Sequence, residues 1–174
     1  MRELILGGVR SGKSRLAEAR ARASGARVTY LATARMAGDA ELQARIAQHR
    51  ARRPAEWQLL EEPLALAATL RAHAAPDRCI VVECLTLWLT NLLCERDAER
   101  LGREREALLE AWAALPGHVI LVSNETGLGI VPLGELTRRF VDEAGILHQR
   151  LAVLADRVTL VIAGIPQTLK GTPP

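Results

Sequence analysis

The chain has 174 residues, 49% of them apolar, so it is long enough to bury a core and is not expected to be disordered. The net charge of +3 is mild, and one Phe and one Tyr leave little for base stacking, so no nucleic-acid partner is expected. The sequence shows no signal-peptide pattern and no apolar run of the roughly 18–20 residues that a membrane span needs, which favours the cytoplasm.

Strand and helix patterns alternate along the chain. Strands are predicted at Glu3–Leu6, Val28–Ala32, Gln58–Leu60, Cys79–Val82, Val119–Ser123 and Val158–Ile162. Helices are predicted at Lys13–Ala23, Ala40–Arg52, Pro63–Ala74, Leu85–Leu93, Leu101–Leu115 and Leu133–Ala155, the last with a candidate break near Gly145. This alternation predicts an α/β fold in three layers, with helices on both faces of a mostly parallel sheet. Residues 1–170 are expected to form one domain, and residues 171–174 a frayed tail.

The most specific short motif follows the first predicted strand. Residues Gly7–Ser14 read GGVRSGKS and match the phosphate-binding loop of nucleoside-triphosphate enzymes. Backbone N–H groups of such a loop hold polyphosphate at a helix N-terminus, Lys13 reaches the β/γ-phosphates and the Ser14 hydroxyl ligates Mg²⁺. The predicted nucleotide-binding residues in this loop are Gly7, Gly8, Val9, Arg10, Ser11, Gly12, Lys13 and Ser14. The alternative is a glycine-rich turn that matches by chance.

Polar residues follow several predicted strands, at the sheet edge where ligands of parallel sheets bind. They are Thr33, Glu61, Glu62, Glu83, Asn124 and Glu125. Glu83 ends a buried run at the position typical of an acid that holds Mg²⁺ opposite Ser14, although it could also contact water or ribose, or lie in solvent. The loop Asn124–Pro132 carries two closely spaced glycines and is either shaped around a ligand or an ordinary connection.

His49 allows two interpretations. Leu42, Ile46 and His49 share one face of the predicted helix Ala40–Arg52, which favours a partly buried structural histidine. Four arginines surround it in sequence and would disfavour imidazolium, which keeps a neutral, nucleophilic ring available near neutral pH. They are Arg45, Arg50, Arg52 and Arg53.

Five segments together resemble one family. They are GGVRSGKS, YLATA (Tyr30–Ala34), RIAQHRARRPAEW (Arg45–Trp57), VVEC (Val81–Cys84) with TNLL (Thr90–Leu93), and SNETGLGIVP (Ser123–Pro132). The chain resembles the bifunctional adenosylcobinamide kinases / adenosylcobinamide-phosphate guanylyltransferases of cobalamin assembly, from Leu4 to about Gly164. It departs from the family pattern at Val141 and at His148.

The resemblance implies two reactions. ATP or GTP phosphorylates adenosylcobinamide, and a histidine, at position 49 here, then takes GMP from GTP and passes it to adenosylcobinamide phosphate, giving adenosylcobinamide-GDP. Beyond the phosphate loop, the implied nucleotide contacts are Ala32, Thr33, Ala34, Arg50, Ala51, Arg52, Arg53, Glu61 and Glu83. The implied fold is RecA-like, and the implied assembly is a homotrimer.

Two rival functions stay open on the sequence. A monofunctional small-molecule kinase would need the phosphate loop and an acid but would give His49 no covalent role. A GTP-dependent switch or motor would normally carry Asn-Lys-x-Asp after a late strand, where this chain has Asn124-Glu125-Thr126-Gly127.

Overall fold

The computed structural model describes residues 1–35, 54–97 and 99–172. The strands in these ranges are β1 (Arg2–Gly7), β2 (Arg27–Ala32), β3 (Gln58–Glu61), β4 (Arg78–Glu83), β5 (His118–Asn124), β6 (Arg157–Ile162) and β7 (Ile165–Lys170). The helices are α1 (Lys13–Ala23), α2 (Leu66–His73), α3 (Leu85–Leu93), α4 (Arg100–Ala114) and α5 (Glu135–Leu154). None of the helices in the described ranges is long and apolar enough to cross a bilayer.

All seven strands form one sheet in the order β3-β2-β4-β5-β1-β6-β7. Strands β1 to β6 pair in parallel, and only β7 runs antiparallel to its neighbour β6 among the described strands. The first strand therefore lies between β5 and β6, which come late in the chain. The carboxyl ends of β1, β4 and β5 meet at one edge, where the loop after β1 joins α1.

Helices cover both faces of the sheet, because side chains alternate along each strand. Ile5 packs with Ala17 and Ala21 of α1, whereas Leu4 and Leu6 belong to a second apolar cluster that includes residues of α2, α3, α4 and α5. Representative members of that second cluster are Leu66, Trp88, Trp112 and Leu147. This arrangement confirms the predicted three-layer α/β fold.

Trp57 holds the start of β3 against α1. Its side chain is 8% exposed and packs in the same cluster as Ala17 and Ala21. The Arg22 guanidinium lies 5.6 Å from the centre of its indole ring, a cation–π contact.

Three predictions of secondary structure need correction. Strand β7 was not predicted, because Gly164 and Pro166 interrupt the strand pattern there; Pro166 is tolerated because β7 is an edge strand. Helix α5 runs through Gly145 without a break, since Ala144, Leu147 and Leu151 pack into the core on either side. Helix α2 begins at Leu66 rather than at Pro63.

The later start of α2 has a local cause. The Glu62 side chain accepts hydrogen bonds from the backbone N–H groups of Leu64 and Ala65, both at 2.8 Å, and so holds the preceding turn. The predicted helix Ala40–Arg52 lies outside the described residues.

Candidate nucleotide-binding site

The loop Gly7–Ser14 joins β1 to α1 as the motif predicts. Gly12 has a φ of 99°, a left-handed conformation that favours glycine, and α1 begins at the next residue. The Ser11 N–H donates to the Gly8 carbonyl at 3.2 Å, and the Lys13 ammonium donates to the same carbonyl at 3.1 Å. Lys13 is only 6% exposed, so its ammonium group lies inside the loop rather than in solvent. Such a loop suits a polyanionic phosphate chain.

The hairpin between β6 and β7 supports this loop from the side. The Gly164 N–H donates to the Ser11 carbonyl at 2.8 Å. At Gly7, a Cβ atom would lie 2.5 Å from Ser11 Oγ and 2.6 Å from the Val161 carbonyl oxygen, so only glycine fits there. The loop is therefore held by close backbone contacts to β6 and to the turn that follows it.

Ser14 and Glu83 form a polar pair beneath the loop. The Ser14 hydroxyl donates to Glu83 Oε1 at 2.8 Å. Glu83 Oε2 is buried and has no hydrogen-bond partner among the described residues. Burial raises the pKa of Glu83 to about 7, while the Ser14 hydrogen bond and the Lys13 charge oppose that rise. A hydroxyl beside a carboxylate with one unsatisfied oxygen is the donor set that Mg²⁺ takes in nucleotide sites, so these residues fit the metal.

Thr33 joins the ends of β2 and β4. Its hydroxyl donates to the Cys84 carbonyl at 2.7 Å and accepts from the Cys84 N–H at 2.9 Å. The Asn91 amide of α3 donates to the Thr33 carbonyl at 2.8 Å and to the Pro63 carbonyl at 3.1 Å. Asn91 lies in the TNLL segment, which predicts no role for it. A polar residue inside the apolar helix Leu85–Leu93 was the available signal.

The remaining predicted contacts divide into two groups. Ala32 pairs in register with Glu83 of β4 on one side and with Glu61 of β3 on the other. Glu61 thus ends the outermost strand, two strands beyond Glu83, and is not brought to the phosphate loop. Ala34 lies partly buried next to Thr33. The other predicted residues, His49 and Arg50–Arg53, lie outside the described residues.

A polar network that the sequence did not predict lies behind the loop. The Ser123 hydroxyl is 2.8 Å from His148 Nε2, and the Asn124 N–H donates to Thr86 Oγ1 at 2.8 Å. The Glu125 N–H donates to the Gly7 carbonyl at 3.0 Å. These bonds fix the end of β5 against the phosphate loop. No local pattern pairs His148 with Ser123, because the two are 25 residues apart.

Comparison with known proteins identifies relatives over nearly the whole chain. A family model described as cobinamide kinase / cobinamide phosphate guanyltransferase matches residues 3–169. The chain is 66% identical over 173 residues to the bifunctional adenosylcobalamin biosynthesis protein CobP of Pseudomonas aeruginosa, with 99% of each chain covered. It is 42% identical over 180 residues to the bifunctional adenosylcobalamin biosynthesis protein CobU of Salmonella typhimurium, covering 96% of this chain and 98% of the relative.

Solved structures with low sequence identity share the fold. The flagellar accessory protein FlaH of Methanocaldococcus jannaschii superposes with a TM-score of 0.52 at 14% identity, covering 98% of this chain and 78% of FlaH. An ATPase from a bacterial type III secretion system superposes with a TM-score of 0.54 at 12% identity, covering 96% of this chain and 56% of that one. The RadB recombinase gives a TM-score of 0.50 at 18% identity, covering 91% and 72%. The predicted RecA-like P-loop fold is therefore confirmed.

Proposed function

The chain belongs to the cobinamide kinase / cobinamide phosphate guanyltransferase family and is a bifunctional transferase of adenosylcobalamin biosynthesis, and on that premise we propose which residues carry each reaction. The observation that carries the assignment is the phosphate loop with Lys13 inside it and the Ser14–Glu83 pair beneath it. Family membership over residues 3–169 excludes the switch and the monofunctional kinase as the best description of the chain.

We propose that Gly7–Ser14 bind the phosphates of ATP or GTP. Lys13 neutralises the charge that develops on the transferred γ-phosphoryl group, and electrostatic stabilisation of this kind dominates phosphoryl transfer. The wider nucleotide site is proposed to include Ala32, Thr33 and Ala34, together with Arg50–Arg53, Glu61 and Glu83, all from the family resemblance. Thr33 is held within the protein through its hydroxyl, bonded to Cys84, its N–H, bonded to the Glu83 carbonyl, and its carbonyl, bonded to Asn91, so it fixes the strand ends beside the proposed site.

Ser14 and Glu83 are proposed to hold Mg²⁺. The support is the orphaned Oε2 oxygen of Glu83, a buried acceptor that a cation would satisfy. When bound, the metal supplies charge neutralisation at the phosphates.

His49 is proposed as the nucleophile of the second reaction. A nitrogen of its neutral imidazole attacks the α-phosphorus of GTP, so a P–N bond forms, the P–O bond to pyrophosphate breaks and pyrophosphate leaves. A phosphate oxygen of adenosylcobinamide phosphate then attacks the same phosphorus, and the P–N bond breaks to restore the imidazole. The support is the position of His49 in the RIAQHRARRPAEW segment and the arginines around it.

The two assignments can be separated with one labelled nucleotide. Wild-type protein incubated with GTP labelled at the α-phosphate should acquire an acid-labile label, and His49→Ala should acquire none while still phosphorylating adenosylcobinamide. Lys13→Ala should lose phosphorylation by about 100- to 1,000-fold, the typical cost of removing one such electrostatic group. Equal labelling of wild type and His49→Ala would contradict the covalent role of His49, and unimpaired phosphorylation by Lys13→Ala would contradict that of Lys13.

We further propose that residues 1–170 act as one catalytic domain, that the enzyme works in the cytoplasm and that it assembles as a homotrimer. The single sheet that runs from β1 to β7 supports the first of these. The family resemblance supports the other two.

A further inference from the structure

The loop between β5 and α5 exposes four large apolar side chains within six residues. Leu128, Ile130, Val131 and Leu133 are 83%, 98%, 71% and 97% exposed. We call residues 126–134 the apolar loop. Single exposed apolar residues are normal on protein surfaces, but a contiguous group of large ones marks a binding surface.

The apolar loop starts at the catalytic edge. Asn124 pairs in register with Gly7, and the Glu125 N–H donates to the Gly7 carbonyl at 3.0 Å. A backbone hydrogen bond therefore joins the first residue of the phosphate loop to the residue that precedes the apolar loop. The chain thus enters the apolar loop from the strand end that adjoins the phosphate loop.

Both ends of the apolar loop are fixed by hydrogen bonds. The Gly127 N–H donates to Glu125 Oε1 at 2.6 Å. At the other end, the Arg138 guanidinium of α5 donates to the Pro132 carbonyl at 3.2 Å and also to the Leu133 carbonyl. These bonds hold a segment whose large side chains still point into solvent, so their exposure does not come from a loose chain end.

The chemistry of this surface fits the second substrate rather than the nucleotide. The segment from Thr126 to Gly134 contains no acidic or basic residue, so it offers no cation to a polyanionic nucleotide. Cobinamide carries a large macrocycle whose rim bears methyl groups and neutral amides, and such a ring can cover apolar side chains while its polar groups stay hydrated. Its terminal hydroxyl must also reach the phosphate that the nucleotide donates.

We propose that the apolar loop binds the corrin ring of cobinamide and places its hydroxyl beside the phosphate loop. Because cobinamide and cobinamide phosphate carry the same ring, the same surface serves the acceptor of both reactions. This inference rests on the proposed placement of the nucleotide at Gly7–Ser14.

The test is a double variant, Ile130→Ser with Leu133→Ser, compared with Val153→Ser. Val153 is a matched control because it is 77% exposed on the outer side of α5, near the far end of that helix. Three quantities are measured: the equilibrium affinity for adenosylcobinamide without nucleotide, the affinity for fluorescently labelled GTP, and the molar mass in solution by light scattering. Thermal unfolding of each variant confirms that it folds.

The double variant should bind adenosylcobinamide at least about tenfold more weakly, because apolar contact area with the ring is lost. Its GTP affinity and its mass should equal those of wild type, and Val153→Ser should match wild type throughout. Ile130→Leu with Leu133→Met, which keeps the surface apolar, should retain corrinoid binding.

Two results would overturn the inference. Unchanged corrinoid affinity in the folded double variant would mean that the ring binds elsewhere. A lower molar mass would mean that the apolar loop is covered by a second copy of this chain. A failure of the nucleotide assignment appears separately, as unchanged GTP affinity in Lys13→Ala, because corrinoid binding is measured without nucleotide.

Discussion

His148 shows how one buried side chain positions the site from a distance. It is 7% exposed, its Nε2 lies 2.8 Å from Ser123 Oγ, and its Nδ1 lies 3.8 Å from Glu125 Oε2. Burial lowers the pKa of His148 below its ordinary value of 6.5, while the Glu125 carboxylate opposes that shift. The neutral ring therefore joins α5 to the end of β5, the segment that is bonded to the phosphate loop.

This depressed pKa predicts an acid sensitivity with a definite sign. Below the ordinary pKa of 6.5 the unfolded chain binds a proton at His148 that the folded chain does not, so stability falls as pH falls. We expect the thermal midpoint of wild type to drop more than that of His148→Asn between about pH 7.5 and about pH 5. His73→Asn, outside this network, serves as the control. Parallel pH profiles for wild type and His148→Asn would contradict the assignment.

The contact between Ser14 and Glu83 can be predicted from the sequence, whereas the contact of His148 cannot. The phosphate-loop motif and the strand-end rule place them on neighbouring elements without any tertiary information. Their contact at 2.8 Å confirms that they meet. The bond between His148 and Ser123 depends instead on how α5 packs over the sheet, which no local pattern encodes.

At the scale of elements, the sequence pattern predicts the buried helices and strands but does not predict the edge strand β7. Helices α1 and α3 agree with their predicted bounds at Lys13–Ala23 and Leu85–Leu93, because a phosphate loop and a strand end define where each begins. Strand β7 escaped prediction because an edge strand needs no apolar alternation and tolerates Pro166. Packing in the core, rather than local propensity, keeps α5 continuous at Gly145.

The continuity of α5 predicts that Gly145→Ala stabilises the protein. A Cβ at Gly145 would meet no atom within 4 Å, and alanine is the better helix former, so the free energy of unfolding should rise by about 0.5–1 kcal/mol. Gly7→Ala is the contrasting variant, because its Cβ would collide with the Val161 carbonyl; it should lower the free energy of unfolding by about 1–3 kcal/mol. Urea denaturation measures both. A destabilised Gly145→Ala would contradict this account of the helix.

At the scale of the whole molecule, the chain exposes a second group of apolar side chains in addition to the apolar loop. At the end of β6 and on β7, Ile162, Ile165 and Leu169 are 58%, 70% and 55% exposed. Ile165 and Leu169 lie on β7, the strand that ends the sheet among the described residues, and an exposed apolar edge of this kind favours contact between subunits.

The homotrimer proposed from the family resemblance fits this exposed edge. Light scattering on purified protein should therefore give about three times the chain mass of 19.0 kDa. Leu169→Glu, a charge placed on that edge, should shift the mass toward one chain, while Val153→Ser should leave it unchanged. A wild-type mass of one chain at micromolar concentration would refute the trimer.

The hydrogen bond from Gly164 to the Ser11 carbonyl has a consequence for how the protein is made. The phosphate loop leaves the ribosome before β5 and β6 are synthesised, yet its supports come from Val161 and Gly164, which follow those strands' start in the chain. Strand β1 likewise cannot pair in the sheet until β5 and β6, the two strands between which it lies, have been synthesised. The phosphate loop is thus translated before the residues that complete its hydrogen bonds. Nucleotide capture by a nascent chain would report that synthesis has passed the hairpin between β6 and β7.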